Sequence, residues 1–90
     1  MATSTFPLGQ TLITANARDK LHPEDIPLAL GRHANGDWGE VCEEDRQENE
    51  HSVNQRLRLF SVYRDRQGVK FWIITEADRS ATTILLPEDY

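Results

Sequence analysis

Three β-prone runs close the chain, separated by turns of only five residues. The first is Leu57-Arg58-Leu59-Phe60-Ser61-Val62-Tyr63, the second Val69-Lys70-Phe71-Trp72-Ile73-Ile74-Thr75, and the third Ala81-Thr82-Thr83-Ile84-Leu85-Leu86, stopped by Pro87. The links Arg64-Asp65-Arg66-Gln67-Gly68 and Glu76-Ala77-Asp78-Arg79-Ser80 are too short for a crossover and can only reverse the chain. Gly68 supplies the positive φ that such a turn needs. The pattern predicts a three-stranded antiparallel meander. Alternation places Val69, Phe71, Ile73 and Thr75 on one face of the middle strand and Lys70, Trp72, Ile74 and Glu76 on the other. The second set carries charge at both ends, so the first is the expected core face, and Trp72 and Ile74 form a half-exposed apolar stripe. Such a sheet does not stand alone, so the first half of the chain is expected to cover it.

That first half reads mostly as helix. Thr11-Leu12-Ile13-Thr14 is a short β-prone run that offers an extra strand. Asn16 is placed to cap a short helix through Leu21. Pro27 is welcome only in a first turn, so a second helix starts near Asp25 or Ile26, with Asp25 as cap, and runs to about Ala34 before Asn35-Gly36 stops it. Residues 40–55 read as a polar helix with few apolar positions, Val41 and Cys42 facing the core near its start and Asp37 or Gly39 as its cap. The fold class is therefore two-layer α+β: the C-terminal meander, with a possible N-terminal strand, packed on two or three N-terminal helices. With 90 residues the chain makes one domain with one modest core, residues 1–7 forming a loose tail.

The net charge is −5, which argues against nucleic-acid binding by bulk charge. The single cysteine, Cys42, forms no intramolecular disulfide and no zinc cluster, and reads as a small core residue in a reducing cytoplasm. The N-terminus lacks the basic and apolar regions of a signal peptide, and no apolar run reaches the ~20 residues of a membrane span. His22, His33 and His51 share no ligand spacing, Ser61 and Ser80 lie in no nucleophile elbow, and no glycine-rich phosphate loop is present. No metal, cofactor or enzymatic activity is expected.

Three polar constellations remain. Residues 75–83 hold seven hydrogen-bonding side chains in nine positions, and Glu76, Asp78 and Arg79 form a candidate recognition turn. The plainer reading has Asp78 closing an Asx-turn and Arg79 pairing with Glu76 or pointing to water. His33, Asp37 and Trp38 surround two glycines and could line a pocket; alternatively Trp38 anchors the loop in the core. The polar helix carries Glu43, Glu44 and Asp45 near its start, a candidate face for a basic partner or a solvated surface. Against it stands a basic set, Arg56, Arg58, Arg64, Arg66 and Lys70, which could touch phosphate but lacks interleaved exposed aromatics. A small hydrolase would need Asp37, His33 and Asp78 to converge.

The run Gly36-Asp37-Trp38-Gly39, then Glu44-Asp45 and Asn49, then Arg58-Leu59-Phe60-Ser61-Val62-Tyr63, and finally the stretch from Trp72-Ile73-Ile74-Thr75-Glu76-Ala77-Asp78-Arg79-Ser80 to Pro87, resembles a family of small bacterial proteins carried on plasmids and integrative elements. These are called plasmid-related proteins or labelled as a type I restriction methylation subunit. The likeness spans roughly residues 8–90, and Ile74-Thr75-Glu76-Ala77-Asp78-Arg79-Ser80 is its most specific part. The methylation label conflicts with this chain, which has neither the length for a cofactor-binding α/β domain nor an Asn/Asp-Pro-Pro-Tyr/Phe motif. The family's helix entry is Gly-x-x-Pro-like, whereas His22-Pro23-Glu24-Asp25-Ile26-Pro27 stands here. The resemblance implies a mobile-element accessory protein and carries over no catalytic residues. Together the readings favour a non-enzymatic protein that binds an unknown protein partner, as monomer or homodimer. The alternative is a small nucleic-acid-binding regulator using the basic hairpin.

Overall fold

The computed structural model describes residues 6–90. The elements run β1 (Gln10–Ile13), α1 (Ala15–Lys20), α2 (Asp25–Ala34), α3 (Glu43–Gln55), β2 (Leu59–Arg64), β3 (Lys70–Thr75) and β4 (Ala81–Leu85), followed by a 3-10 turn over Pro87–Asp89. The architecture is α+β, three helices with one four-stranded sheet in the order β1-β4-β3-β2. Strands β2, β3 and β4 pair antiparallel, as their short turns require, but β1 adds parallel to β4, so the sheet is mixed rather than purely antiparallel. Gly9 permits that addition. Its φ is +67°, and a Cβ there would stand 2.4 Å from the Arg79 carbonyl oxygen, so only glycine lets the incoming chain lie against the β3–β4 turn.

One face of the sheet carries the main core. Tyr63, Phe71, Ile73 and Ile84 pack with Leu86 against Ala17, Leu21 and Ala29 of the helical layer. This is the expected core face of β3. A second cluster, Phe6, Trp38 and Leu59, closes the end nearer α3. Phe6 is thus buried and does not belong to a loose tail; residues 1–5 of that tail lie outside the described residues. On the opposite face Ile74 is buried rather than half-exposed, while Trp72 is half-buried and meets the Tyr90 ring, which the chain brings back after the turn at Pro87–Asp89.

The helix starts show where local signals mislead. Thr14, not Asn16, caps α1, its hydroxyl accepting from the Ala17 N–H at 3.1 Å. Asp25 falls inside α2 and accepts from Arg66 across the fold instead of capping. Helix α3 begins at Glu43 with Cys42, exposed rather than core, at its N-cap. Residues 38–40 run instead beside β2: the Val62 N–H donates to the Trp38 carbonyl and the Glu40 N–H to the Val62 carbonyl. Gly39 makes this approach possible, since a Cβ there would sit 2.0 Å from the Val62 carbonyl oxygen.

This segment and α3 together cover the outer edge of β2, the place where a bare strand invites foreign pairing. Asn49 of α3 is 3% exposed; its amide oxygen accepts from the Phe60 N–H (3.0 Å) and its nitrogen donates to the Phe60 carbonyl (2.6 Å). Asn49→Ala leaves both strand groups unmatched. The expected loss is about 2 kcal/mol in urea unfolding, with faster exchange of the Phe60 amide. An unchanged midpoint and unchanged exchange would show the clasp to be idle.

Among the described residues, no helix is long and apolar enough to cross a membrane.

Candidate functional site

The second face of the sheet carries a groove of about 300 Å3 between α3 and the C-terminal turn. Asp45, Glu48 and Asn49 form its helical wall, Phe60, Trp72 and Ile74 its floor, and Arg58 and Tyr90 its far side. Residues 45, 48 and 49 share one helix face by their three- and four-residue spacing. Phe60 lies opposite Ile74 in the β2–β3 register. The rings form a chain: Phe60 meets Trp72 edge-to-face at 5.1 Å, and Trp72 meets Tyr90 at 5.7 Å. The Arg58 guanidinium lies 5.4 Å from the Tyr90 ring centre, donates to the Tyr90 hydroxyl at 2.8 Å and stands 3.8 Å from Glu76. On the opposite wall Asp45 and Glu48 are exposed and have no cationic partner among the described residues.

Of the sequence-derived acids, Asp45 enters the groove. Glu43 instead pairs with Arg46, whose other arm reaches Glu50; the Arg46 hydrogen bond, with a lesser one from Gln47, holds the Glu43 carboxyl down to about 2. Glu44 is exposed on α3.

The recognition turn is taken apart by the fold. Asp78 is exposed and closes an Asx-turn by accepting from the Ser80 N–H at 2.9 Å, and its hydrogen bonds with Ser80 lower its pKa. Glu76 faces Arg58. Arg79 is buried, contrary to the expectation of a recognition residue. Its guanidinium donates to the carbonyls of Ser52, Leu57, Glu76 and Ala77, and burial, aided by the charge of Arg56, lowers its pKa.

The expected pocket of His33, Asp37 and Trp38 is likewise filled. His33 is fully buried, with Nδ1 at 2.5 Å from the Ser61 hydroxyl and Nε2 at 2.8 Å from the Thr75 hydroxyl. Trp38 is buried against both Phe6 and His33, which also touch each other, and its indole nitrogen has no hydrogen-bond partner among the described residues. Asp37 binds Arg32 at 2.7 Å, and that contact holds its carboxyl below the ordinary range. His33, Asp37 and Asp78 are therefore each engaged with other groups, and no hydrogen bond joins them. Among the described residues no group of three or more His, Cys, Asp or Glu could hold a metal ion.

The basic set is largely neutralised in place. Arg64 pairs with Glu40 at 3.0 Å and Arg66 with Asp25 at 2.9 Å, while Arg58 faces Glu76 and Tyr90. Arg56 and Lys70 are exposed without an ion pair among the described residues.

Sequence reasoning missed Glu48, Asn49, Phe60 and Tyr90 as one site. The spacing of Asp45, Glu48 and Asn49 was a usable signal for the wall. The return of Tyr90 onto Trp72 had none, because it depends on the path of the chain after β4. No family model, curated protein or solved structure matches the chain.

Proposed function

We propose that this protein is a non-enzymatic interaction module, an accessory of a mobile genetic element as its sequence resemblance implies, and that it binds a protein partner along α3 and the adjoining groove. The observation that carries this reading is the groove's asymmetry. Its floor is aromatic, one wall presents Asp45 and Glu48 without partners among the described residues, and Glu44 adds to the acidic surface of the same helix. Carboxylates left exposed beside apolar surface suit a partner bringing basic and apolar groups together. The polar turn contributes less than its composition suggested, offering Asp78 and part of Glu76 while Arg79 is withdrawn. Pairing of Arg58, Arg64 and Arg66 with acids weakens the nucleic-acid alternative.

The test is affinity capture from bacterial lysate, with and without nuclease, comparing wild type with a Glu44→Lys, Glu48→Lys variant. Both positions are exposed, so the fold is expected to persist. A protein that survives nuclease and is lost by at least tenfold with the variant supports the reading. Capture that disappears with nuclease transfers the assignment to nucleic acid, and turnover of a substrate without any bound macromolecule sinks it.

A further inference from the structure

We propose that the groove receives an arginine side chain from a basic segment of the partner protein, its guanidinium lying between the aromatic floor and the carboxylates of Asp45 and Glu48. The inference rests on the protein-binding reading and specifies the group recognised.

Size is the first argument. A groove of about 300 Å3 is at the small end of ligand sites and matches one long side chain better than a nucleotide or a large cofactor. Chemistry is the second. Phe60, Trp72 and Tyr90 form a continuous aromatic surface, and a cation within about 6 Å of such rings is held by their quadrupoles. Asp45 and Glu48 add two carboxylates on the facing wall, supplying the counter-charge that a bound cation needs. A purely apolar occupant would leave that wall unused, and a phosphate would be repelled by it.

The third argument is an internal precedent. Arg58 already rests its guanidinium over Tyr90, with Glu76 beside it, so the far side of the same groove displays this mode of contact in cis. The incoming cation is directed to the opposite side, where the acids lack partners. Arginine fits better than lysine because the flat, weakly hydrated guanidinium can stack on a ring while its N–H groups reach a carboxylate. Lysine offers a compact, strongly hydrated charge with no stacking plane.

The probe is a fluorescein-labelled Gly-Arg-Gly-Arg-Gly-Arg peptide titrated with the full chain, beside its lysine counterpart and a labelled oligothymidylate. The expected result is saturable binding of the arginine peptide, several-fold tighter than the lysine peptide, with a shift of the Trp72 indole N–H resonance. Asp45→Asn with Glu48→Gln should weaken it at least tenfold while lowering the melting temperature by only a few degrees, the share owed to Asp45 in the first turn of α3. Trp72→Ala should weaken it similarly, and the exposed carboxylate pair keeps the test decisive if that variant folds poorly. Absence of arginine-peptide binding at millimolar protein, equal binding by the carboxylate variant, or preference for lysine or oligothymidylate would overturn the proposal. Capture of a nuclease-resistant partner through α3 without arginine-peptide binding would leave the interaction reading standing and remove this one alone.

Discussion

Replacing Arg79 with alanine is expected to destabilise the fold by about 3 kcal/mol, a fall in melting temperature of about 12–20 °C for a domain of this size. The side chain is 7% exposed, and one guanidinium joins three parts of the molecule: the β3–β4 turn that carries it, the loop carbonyl of Leu57 at 2.7 Å and the α3 carbonyl of Ser52 at 2.9 Å. Helix α3 has no basic residue in its last turn, only the exposed Arg56 at its C-cap, so a buried cation bonded to its end carbonyl is what would further offset the macrodipole. Arg79 supplies it from the other side of the fold. No carboxylate pairs with this guanidinium among the described residues, and the carbonyl oxygens stand in its place. Hydrogen bonds to a charged group contribute about 1.5–3 kcal/mol each, and water can replace only part of this fan once the side chain is gone. The backbone adds a second signature. Arg79 sits at φ +61°, a region that costs a side chain roughly 1 kcal/mol, so Arg79→Gly should be less damaging than Arg79→Ala although both lose the same hydrogen bonds. Arg79→Lys should recover little, because a single ammonium nitrogen cannot span carbonyls that two guanidinium nitrogens reach. Chemical unfolding gives the magnitudes, and hydrogen exchange should show α3 loosening before β2 and β3. An Arg79→Ala protein within about 0.5 kcal/mol of wild type would mean that the carbonyl fan contributes little and that this account of Arg79 is wrong.

The same residue shows why only part of the molecule was legible in the sequence. Strands β2, β3 and β4 follow from period-two alternation and five-residue turns, both local properties. Helix α2 is bracketed by Pro27 at its start and Asn35-Gly36 at its end, so its span could be read directly. Helix α3 shows its polar character and its end at Gln55 in the sequence, but its start lies three residues later than expected and its docking could not be read in this way. It has almost no apolar stripe, and it is attached by Asn49 to a strand edge and by Arg79 to a carbonyl rather than by a buried hydrophobic face. Hydrogen bonds between common polar residues distant in sequence leave no periodic trace. The parallel docking of β1 was equally hidden: no turn connects it to β4, and its register depends on Gly9 slipping against the Arg79 carbonyl. In the groove, the acids of α3 and the Trp72–Ile74 stripe were visible separately. What joined them was Asn49 holding α3 against β2 and Tyr90 returning onto Trp72.

Unfolding stability should fall by about 3 kcal/mol between pH 6.5 and pH 4, with His33 as the responsible group. The hydrogen-bond chain around it determines its proton. The Leu8 carbonyl can only accept, so the Thr82 hydroxyl donates to it at 2.7 Å. Thr82 must then accept from Thr75 at 2.8 Å, which leaves the Thr75 oxygen to accept from His33 Nε2–H, also at 2.8 Å. His33 Nδ1 is consequently the bare nitrogen, and it accepts from the Ser61 hydroxyl. A second proton would place a charge inside this closed network. Burial, reinforced by the positive charge of Arg79, pushes the His33 pKa down to about 4 from an ordinary value of 6.5. Between those two values the unfolded chain binds a proton that the native protein refuses, so acidification favours unfolding there by about 1.4 kcal/mol per pH unit. Above pH 6.5 the contribution is complete and flat. The lowered carboxylates Asp25, Asp37, Glu43, Asp65, Asp78 and Asp89 stabilise the native state above their unfolded values near 4 and lose that effect as pH falls through their folded ones, so their window lies below that of His33. Urea titrations at half-unit steps from pH 7.5 to 2.5 separate the two ranges. His33→Gln, which does not titrate, should be less stable at neutral pH yet lose most of the slope between pH 6.5 and 4.5. Nitrogen-15 imidazole shifts should show the Nε2–H tautomer persisting to pH 5. A wild-type protein whose stability is constant over this range, or a His33 ring protonated at pH 6, would refute the closed network.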